Sequence, residues 1–301
     1  MTADRGREPA ADGTLVRLDG TVADRAEPLL RADDLGALRG DGVFEALLVV
    51  EGRPWHLDEH LARLARSAAT LGLRAPDADA WRRCLAVAID RHGTAGESYA
   101  RLILTRGPEG GGPETGYVLV DPVPAGTRRA RARGVRVVTL TRGTVVAAPD
   151  RAPWLLTGAK SLSYAINMAA QRWARSHDAD DAIFLAEDGT VLEAPTAAVV
   201  VAQGRTLRSP SPDLGILASI ALRGLFTAAR QAGWECEFGR LSVDDLRAGD
   251  GLWLISSIRL ATWVRAIDGV PCAASPYDGE VAALVREHPA ATGTPGATGA
   301  G

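Results

Sequence analysis

Lysine is almost absent from this chain. Of its 34 Lys and Arg residues, one, Lys160, is lysine and all the others are arginine. Cysteine is scarce too. Cys84, Cys236 and Cys272 are far apart and form neither a metal-ligand spacing nor an even disulfide set, so reduced thiols in a cytoplasmic protein are expected. No apolar run approaches the roughly 18 residues of a membrane span. Met1 to Gly13 is polar and lacks the apolar stretch of a signal peptide. Neither sign of charge dominates, and the net value of −3 offers nothing to nucleic acid or an anionic membrane.

What is present fits a soluble globular protein of 301 residues, 46% hydrophobic and 24% charged. Residues 1–13 and the Ala, Gly, Thr and Pro-rich tail 289–301 read as disordered. The body reads as α+β in two lobes, a smaller one over 14–121 and a larger one over 135–288. The Pro and Arg-rich stretch 122–134 reads as a linker between them. Val43 to Val50 is a β-branched run ending at Glu51-Gly52, which predicts a strand and turn. Leu57, Leu61, Leu64, Ala68 and Leu71 recur at helical spacing, with Asp58 as the expected N-cap. A second helix is expected over 77–92 with Gly93 closing it. Strands are expected at 99–105, 117–120 and 135–140, and a helix from Lys160 to about His177. A hairpin follows at 181–201, turning at Glu187 to Thr190. A helix is expected over 219–232, a capping box at Ser242 to Asp245, and a strand at 251–256.

An amine can lose its proton and attack a carbonyl, whereas guanidinium keeps its charge. In a chain drifted toward Ala, Arg and Gly, a surviving lysine therefore suggests a Schiff base. A leftover surface lysine is the bland alternative. Four other segments decide: Arg39-Gly40-Asp41-Gly42-Val43-Phe44-Glu45, then His60-Leu61-Ala62-Arg63-Leu64, then Glu193 in Asp188-Gly189-Thr190-Val191-Leu192-Glu193, then Leu214-Gly215-Ile216-Leu217-Ala218-Ser219-Ile220 opening a helix. With Lys160, their order and spacing resemble the fold-type IV, pyridoxal-phosphate-dependent class IV aminotransferases, over roughly residues 28–269. That family includes branched-chain and D-amino-acid aminotransferases and 4-amino-4-deoxychorismate lyase.

The resemblance implies a D-amino-acid-aminotransferase-like fold whose larger lobe has a barrel-like core. It implies pyridoxal 5'-phosphate as cofactor, a small amino substrate and a homodimer, with no metal. Lys160 would hold the cofactor aldehyde and serve as base. Glu193 would face the pyridine nitrogen, and Tyr164 the ring's 3-oxygen. Arg63, Ser257 and the backbone N–H groups of Ile220 and Ala221 would bind the phosphate. Phe44, Arg101 and Arg106 are the substrate-side candidates, the arginines for carboxylates. The chain departs from the family at Ala221, where a threonine is usual, and at Ala197-Ala198, where Ser-Asn is usual. The overall style is closest to the lyase branch. Aminotransfer is the second reading, and a cofactor-binding member without turnover the third.

Three further signals are set aside. His56-Leu57-Asp58-Glu59-His60 matches an inverted zinc-protease pattern, but a cap at Asp58 would turn His56 away. Arg128 to Arg133 is basic but lacks interleaved aromatics. The glycines at 107–112 lack the strand-to-helix setting of a dinucleotide loop.

Overall fold

The computed structural model describes residues 13–74, 77–143 and 152–287. The disorder expected for 1–13 and 289–301 lies outside them, apart from Gly13. The fold is α+β with two lobes, each built on one sheet. The first sheet uses β1 (Thr14–Arg17), β2 (Val22–Ala23), β3 (Gly42–Val50), β4 (Arg53–Pro54), β5 (Glu97–Thr105) and β6 (Thr115–Pro122), in the order β2-β1-β6-β5-β3-β4. Its pairings are antiparallel, with Phe44 opposite Ile103 and Ala46 opposite Arg101. Three helices belong to this lobe: α1 (Leu35–Arg39), α2 (Leu57–Thr70) and α3 (Ala78–His92). Trp81, Leu85 and Ala88 of α3 and Leu61, Leu64 and Ala68 of α2 pack with Leu47, Leu102 and Val118 of the sheet.

Helix α2 begins at Leu57, and its N-cap is His56 in a left-handed conformation, not Asp58. Asp58 instead lies in the first turn, where its charge favours the helix N-terminus. The stretch expected as a linker contains a helix, α4 (Ala125–Arg133). Alanine and arginine are good helix formers, and α4 is tied down by Arg131, which bonds Glu97 and the Ile258 carbonyl.

The second sheet uses β7 (Val135–Thr141), β8 (Asp181–Leu185), β9 (Ala198–Gln203), β10 (Thr206–Pro210), β11 (Glu235–Gly239), β12 (Gly251–Ser256), β13 (Leu260–Ile267) and β14 (Val270–Pro271). The order is β11-β10-β9-β12-β13-β7-β8, with β14 beside β13. β9 is entirely apolar up to Gln203 and is buried along Ala198 to Ala202, as expected of a strand covered on both faces. One face packs on α6 (Ile220–Gln231) and α8 (Asp278–Leu284), through Leu225, Phe226, Trp253 and Val281. The other packs on α7 (Val243–Ala248), through Leu246. Helix α5 (Ala165–Ser176) contributes Ala170 to a smaller cluster with Phe184 and Leu192.

The capping box on α7 forms as expected. Ser242 Oγ accepts from Asp245 N, and Asp245 Oδ2 accepts from Ser242 N. Ser242→Ala is predicted to cost about 1 kcal/mol. Urea unfolding would measure it, and an unshifted midpoint would show that α7 adds nothing to the cooperative unit.

Candidate active site

Lys160 does not start a helix, contrary to the sequence expectation. It lies in an extended stretch, and α5 begins five residues later at Ala165. The stretch pairs with the first lobe's sheet: Phe44 N donates to Lys160 O at 3.0 Å and Leu162 N to Gly42 O at 2.8 Å. Gly42 permits this approach. A Cβ there would stand 2.5 Å from Leu104 O and 2.7 Å from Leu162 Cδ1. Ser67 Oγ on α2 accepts from Lys160 N at 3.1 Å. The backbone around the amine is thus fixed from two sides. The amine donates to Tyr164 Oη at 3.3 Å and lies 4.3 Å from the centre of the Phe44 ring. The two rings meet edge to face at 5.1 Å.

Helix α2 supplies a polar stripe. His60, Arg63 and Ser67 recur at helical spacing and are all buried. Opposite them on β3 is Glu45, fully buried. Arg63 grips it in two-point fashion, Nε to Oε1 and Nη2 to Oε2, both at 2.7 Å, and His60 Nδ1 donates to Oε2 at 2.7 Å. Burial alone would raise the Glu45 carboxyl, but the hydrogen bonds and charge of Arg63, then of His60, outweigh it and hold it at about 2. Burial lowers His60, and Arg63 and Lys160 add to that, against Glu45, which pulls it up. His60 is therefore neutral.

Arg63 turns its remaining nitrogen, Nη1, to the Ala218 carbonyl at 3.0 Å, just before α6. Ser219 caps that helix by accepting from Leu222 N at 3.2 Å. The N–H groups of Ile220 and Ala221 in its first turn have no acceptor within the helix. Ser257, in the turn between β12 and β13, lies 3.3 Å from His60 Nε2. Arg63, Ser219 and Ser257 all line one cavity. A guanidinium, a hydroxyl and a helix N-terminus form a donor set suited to a phosphate.

Glu193, whose side chain is 16% exposed, follows the hairpin turn. Its Oε2 accepts from Leu217 N and its Oε1 from Arg142 Nη1, both at 3.2 Å. Burial pushes this carboxyl above its ordinary value, and Arg142, the Leu217 N–H and Lys160 pull it part of the way back.

The cavity measures about 670 Å³ and lies between the lobes. Phe44, Arg63, Lys160, Tyr164, Glu193 and Ser257 all border it. Ile220 and Ala221 do not border it; both are buried at the start of α6, Ala221 within the second lobe's core. Ala197 and Ala198 line it with methyl groups, so the departures from the family pattern leave part of the wall apolar. Arg101 and Arg106 do not border it. Arg101 donates to Asp121 Oδ2 at 2.5 Å, and Arg106 bonds Asp41 at 2.6 and 3.1 Å and the Leu71 carbonyl at 2.6 Å. Carboxylates of their own chain hold both arginines away from the cavity. His56 and His60 share no ligand geometry, since the His60 ring is turned to Glu45 and Ser257. Glu45, Ser67 and Arg142 belong to the site but had no role assigned from the sequence.

Fold and site together define a pyridoxal-phosphate enzyme of fold type IV. The model of the family "Amino-transferase class IV" matches residues 42–267, and the chain belongs to that family. It is 46% identical over 264 residues to the "Bifunctional aminodeoxychorismate lyase / D-amino acid transaminase" of Mycobacterium tuberculosis, covering 85% of this chain and 91% of that protein. A solved "hypothetical aminotransferase from Mycobacterium tuberculosis, PLP-bound form" superposes with a TM-score of 0.88 at 44% identity, over 91% of this chain and 97% of that one. A fold IV-transaminase from Curtobacterium pusillum gives 0.86 at 41% identity, over 91% and 99%. The protein is a pyridoxal-phosphate-dependent enzyme of the lyase and aminotransferase family, and the donor set around Lys160 fits that cofactor.

Proposed function

We propose that this protein is a 4-amino-4-deoxychorismate lyase that uses Lys160 as its base and works as a homodimer. The observation that carries this reading is the placement of the chain's single lysine amine beside Phe44 and Tyr164 in the inter-lobe cavity. Arg63, Ser257 and the start of α6 would hold the cofactor phosphate. Glu193, steadied by Arg142 and Leu217, would keep a proton on the ring nitrogen. When bound, pyridoxal phosphate supplies an electron sink for charge developing on the substrate. Lys160 would take the ring proton of the substrate. The bond from ring carbon to the enolpyruvyl oxygen then breaks with its electron pair passing to oxygen, enolpyruvate leaves and takes up a proton on carbon to become pyruvate, and 4-aminobenzoate remains. Aromatisation drives this step, so the protein's main task is to hold the substrate in orientation.

The cavity falls in the range that encloses a ligand of cofactor size. Its wall at Ala194, Ala197, Ala198, Ile255 and Ile258 suits a carbocyclic ring. Arg259 also borders it, anchored by Asp181 Oδ2 at 2.5 Å, and is a candidate for a substrate carboxylate. The homodimer is supported by Trp154, Leu155, Ile166 and Trp173. These large apolar residues are exposed by 54 to 74%, and Leu155 and Ile166 also border the cavity.

Aminotransfer with D-amino acids is the second reading, favoured by the name of the M. tuberculosis relative. It needs the same lysine, which must then return the proton to the cofactor carbon. Purified holoenzyme given aminodeoxychorismate and no keto acid is expected to release 4-aminobenzoate and pyruvate. Absence of 4-aminobenzoate, together with steady conversion of D-alanine and 2-oxoglutarate, would leave the aminotransferase reading alone.

A further inference from the structure

Behind the phosphate donors lies a chain of contacts that holding a phosphate does not itself require. Glu45 Oε2 accepts from His60 Nδ1 at 2.7 Å, and His60 Nε2 faces Ser257 Oγ at 3.3 Å. Glu45 and His60 are fully buried, and Ser257 borders the cavity. Glu45 can only accept, so the first contact places the neutral imidazole's proton on Nδ1. Nε2 then carries a lone pair, and the Ser257 hydrogen points to it. Ser257 is left presenting oxygen lone pairs to the cup.

Charge gives the same result. The groups facing His60 are Glu45 from β3, Arg63 from α2 and Lys160 from the stretch before α5. Glu45 and Arg63 cancel each other, so with His60 neutral these three residues carry no net charge. A phosphate dianion entering the cup would meet an inward-turned hydroxyl and a spent guanidinium charge.

We propose that His60 is a positioning residue that takes up one proton from solvent when a phosphate dianion fills the cup. Protonated Nε2 then donates to Ser257 Oγ, and Ser257 turns its O–H to the phosphate. The cluster changes from neutral to singly positive as the dianion arrives. Glu45 keeps Nδ1 protonated throughout, which confines the change to Nε2. The proposal rests on reading Arg63, Ser257 and the start of α6 as the phosphate cup.

Ring-nitrogen NMR of histidine-labelled protein tests it directly, because the chain holds five histidines. The Nε2 signal of His60, assigned by its loss in His60→Asn, is expected to be unprotonated without cofactor and protonated with pyridoxal phosphate at pH 7.5. Asparagine can still donate to Glu45, so this variant keeps the buried carboxylate satisfied. Calorimetric titration in buffers of different ionisation enthalpy should show proton uptake lower by about one per cofactor bound in His60→Asn than in wild type. Ser257→Ala should lower it in the same direction. An Nε2 that stays unprotonated in the holoenzyme, or equal uptake in wild type and both variants, overturns the relay while leaving the cup intact. If pyridoxal without its phosphate binds as tightly as pyridoxal phosphate, the cup itself is wrong and the relay falls with it.

Discussion

Lys160→Ala is expected to lose turnover by about 10⁴-fold, the upper end of what a positioned general base contributes. The variant should still fold, because the side chain borders a cavity and its backbone bonds to Phe44 and Ser67 do not involve it. Lys160 carries the chain's single side-chain amine. Borohydride treatment of the wild-type holoenzyme should therefore attach the coenzyme to one peptide, the one spanning Thr157 to Asn167. Mass spectrometry of the digest reads this out. Label elsewhere, or a variant with wild-type turnover, would remove the basis of the functional reading.

Glu45→Ala is expected to be the most destabilising single change near the site, by about 3–5 kcal/mol, the cost of leaving a buried cation without its partner. Arg63 would lose both strong hydrogen bonds and His60 the acceptor for Nδ1. Denaturant unfolding measures this, and a midpoint within experimental error of wild type would refute the account of the network. The same residue predicts an acid limit. In the folded state its carboxyl sits at about 2, below its ordinary 4.5. Its contribution is complete above the ordinary value and is lost as the pH falls toward about 2. The gap between the two values corresponds to about 3 kcal/mol. His60 acts in the same direction at higher pH. Burial lowers it from 6.5, so below that value the unfolded chain binds a proton that folded His60 resists. Stability of the cofactor-free protein should therefore decline in two stages on acidification. Glu45→Gln should flatten the lower stage.

Lys160 stood out in the sequence because of what surrounded it, a chain emptied of other lysines. Arg63, Glu193 and Ser257 were legible through their order and spacing, which the fold converts into one cavity. The helix at 78–92 and the capping box at Ser242 were legible because each carries its own local chemistry. Arg101 and Arg106 misled because sequence shows the cations but not the carboxylates that engage them. Asp121 and Asp41 become their partners through strand pairing and loop packing. Glu45 shows no task within its sequence motif, since a buried carboxylate reveals itself only once Arg63 and His60 converge on it. Helix α4 escapes a hydrophobic pattern because none of its residues is fully buried, and of its half-buried side, Thr127, Ala130 and Arg131, two residues are polar. The start of α5 was misplaced for a related reason. Residues 160–162 are held by a bridge between Ser161 and Val43 of β3, a distant contact that local propensity does not record.

That pairing has a consequence for how the enzyme admits its ligands. The nucleophile belongs by chain order to the larger half, but its main chain is stitched to the smaller one. A hinge opening between the halves would tear those bonds or carry the amine out of register with Glu193. A frame that stays shut is therefore expected, and the two halves expressed as separate polypeptides should not reconstitute a working centre by simple mixing.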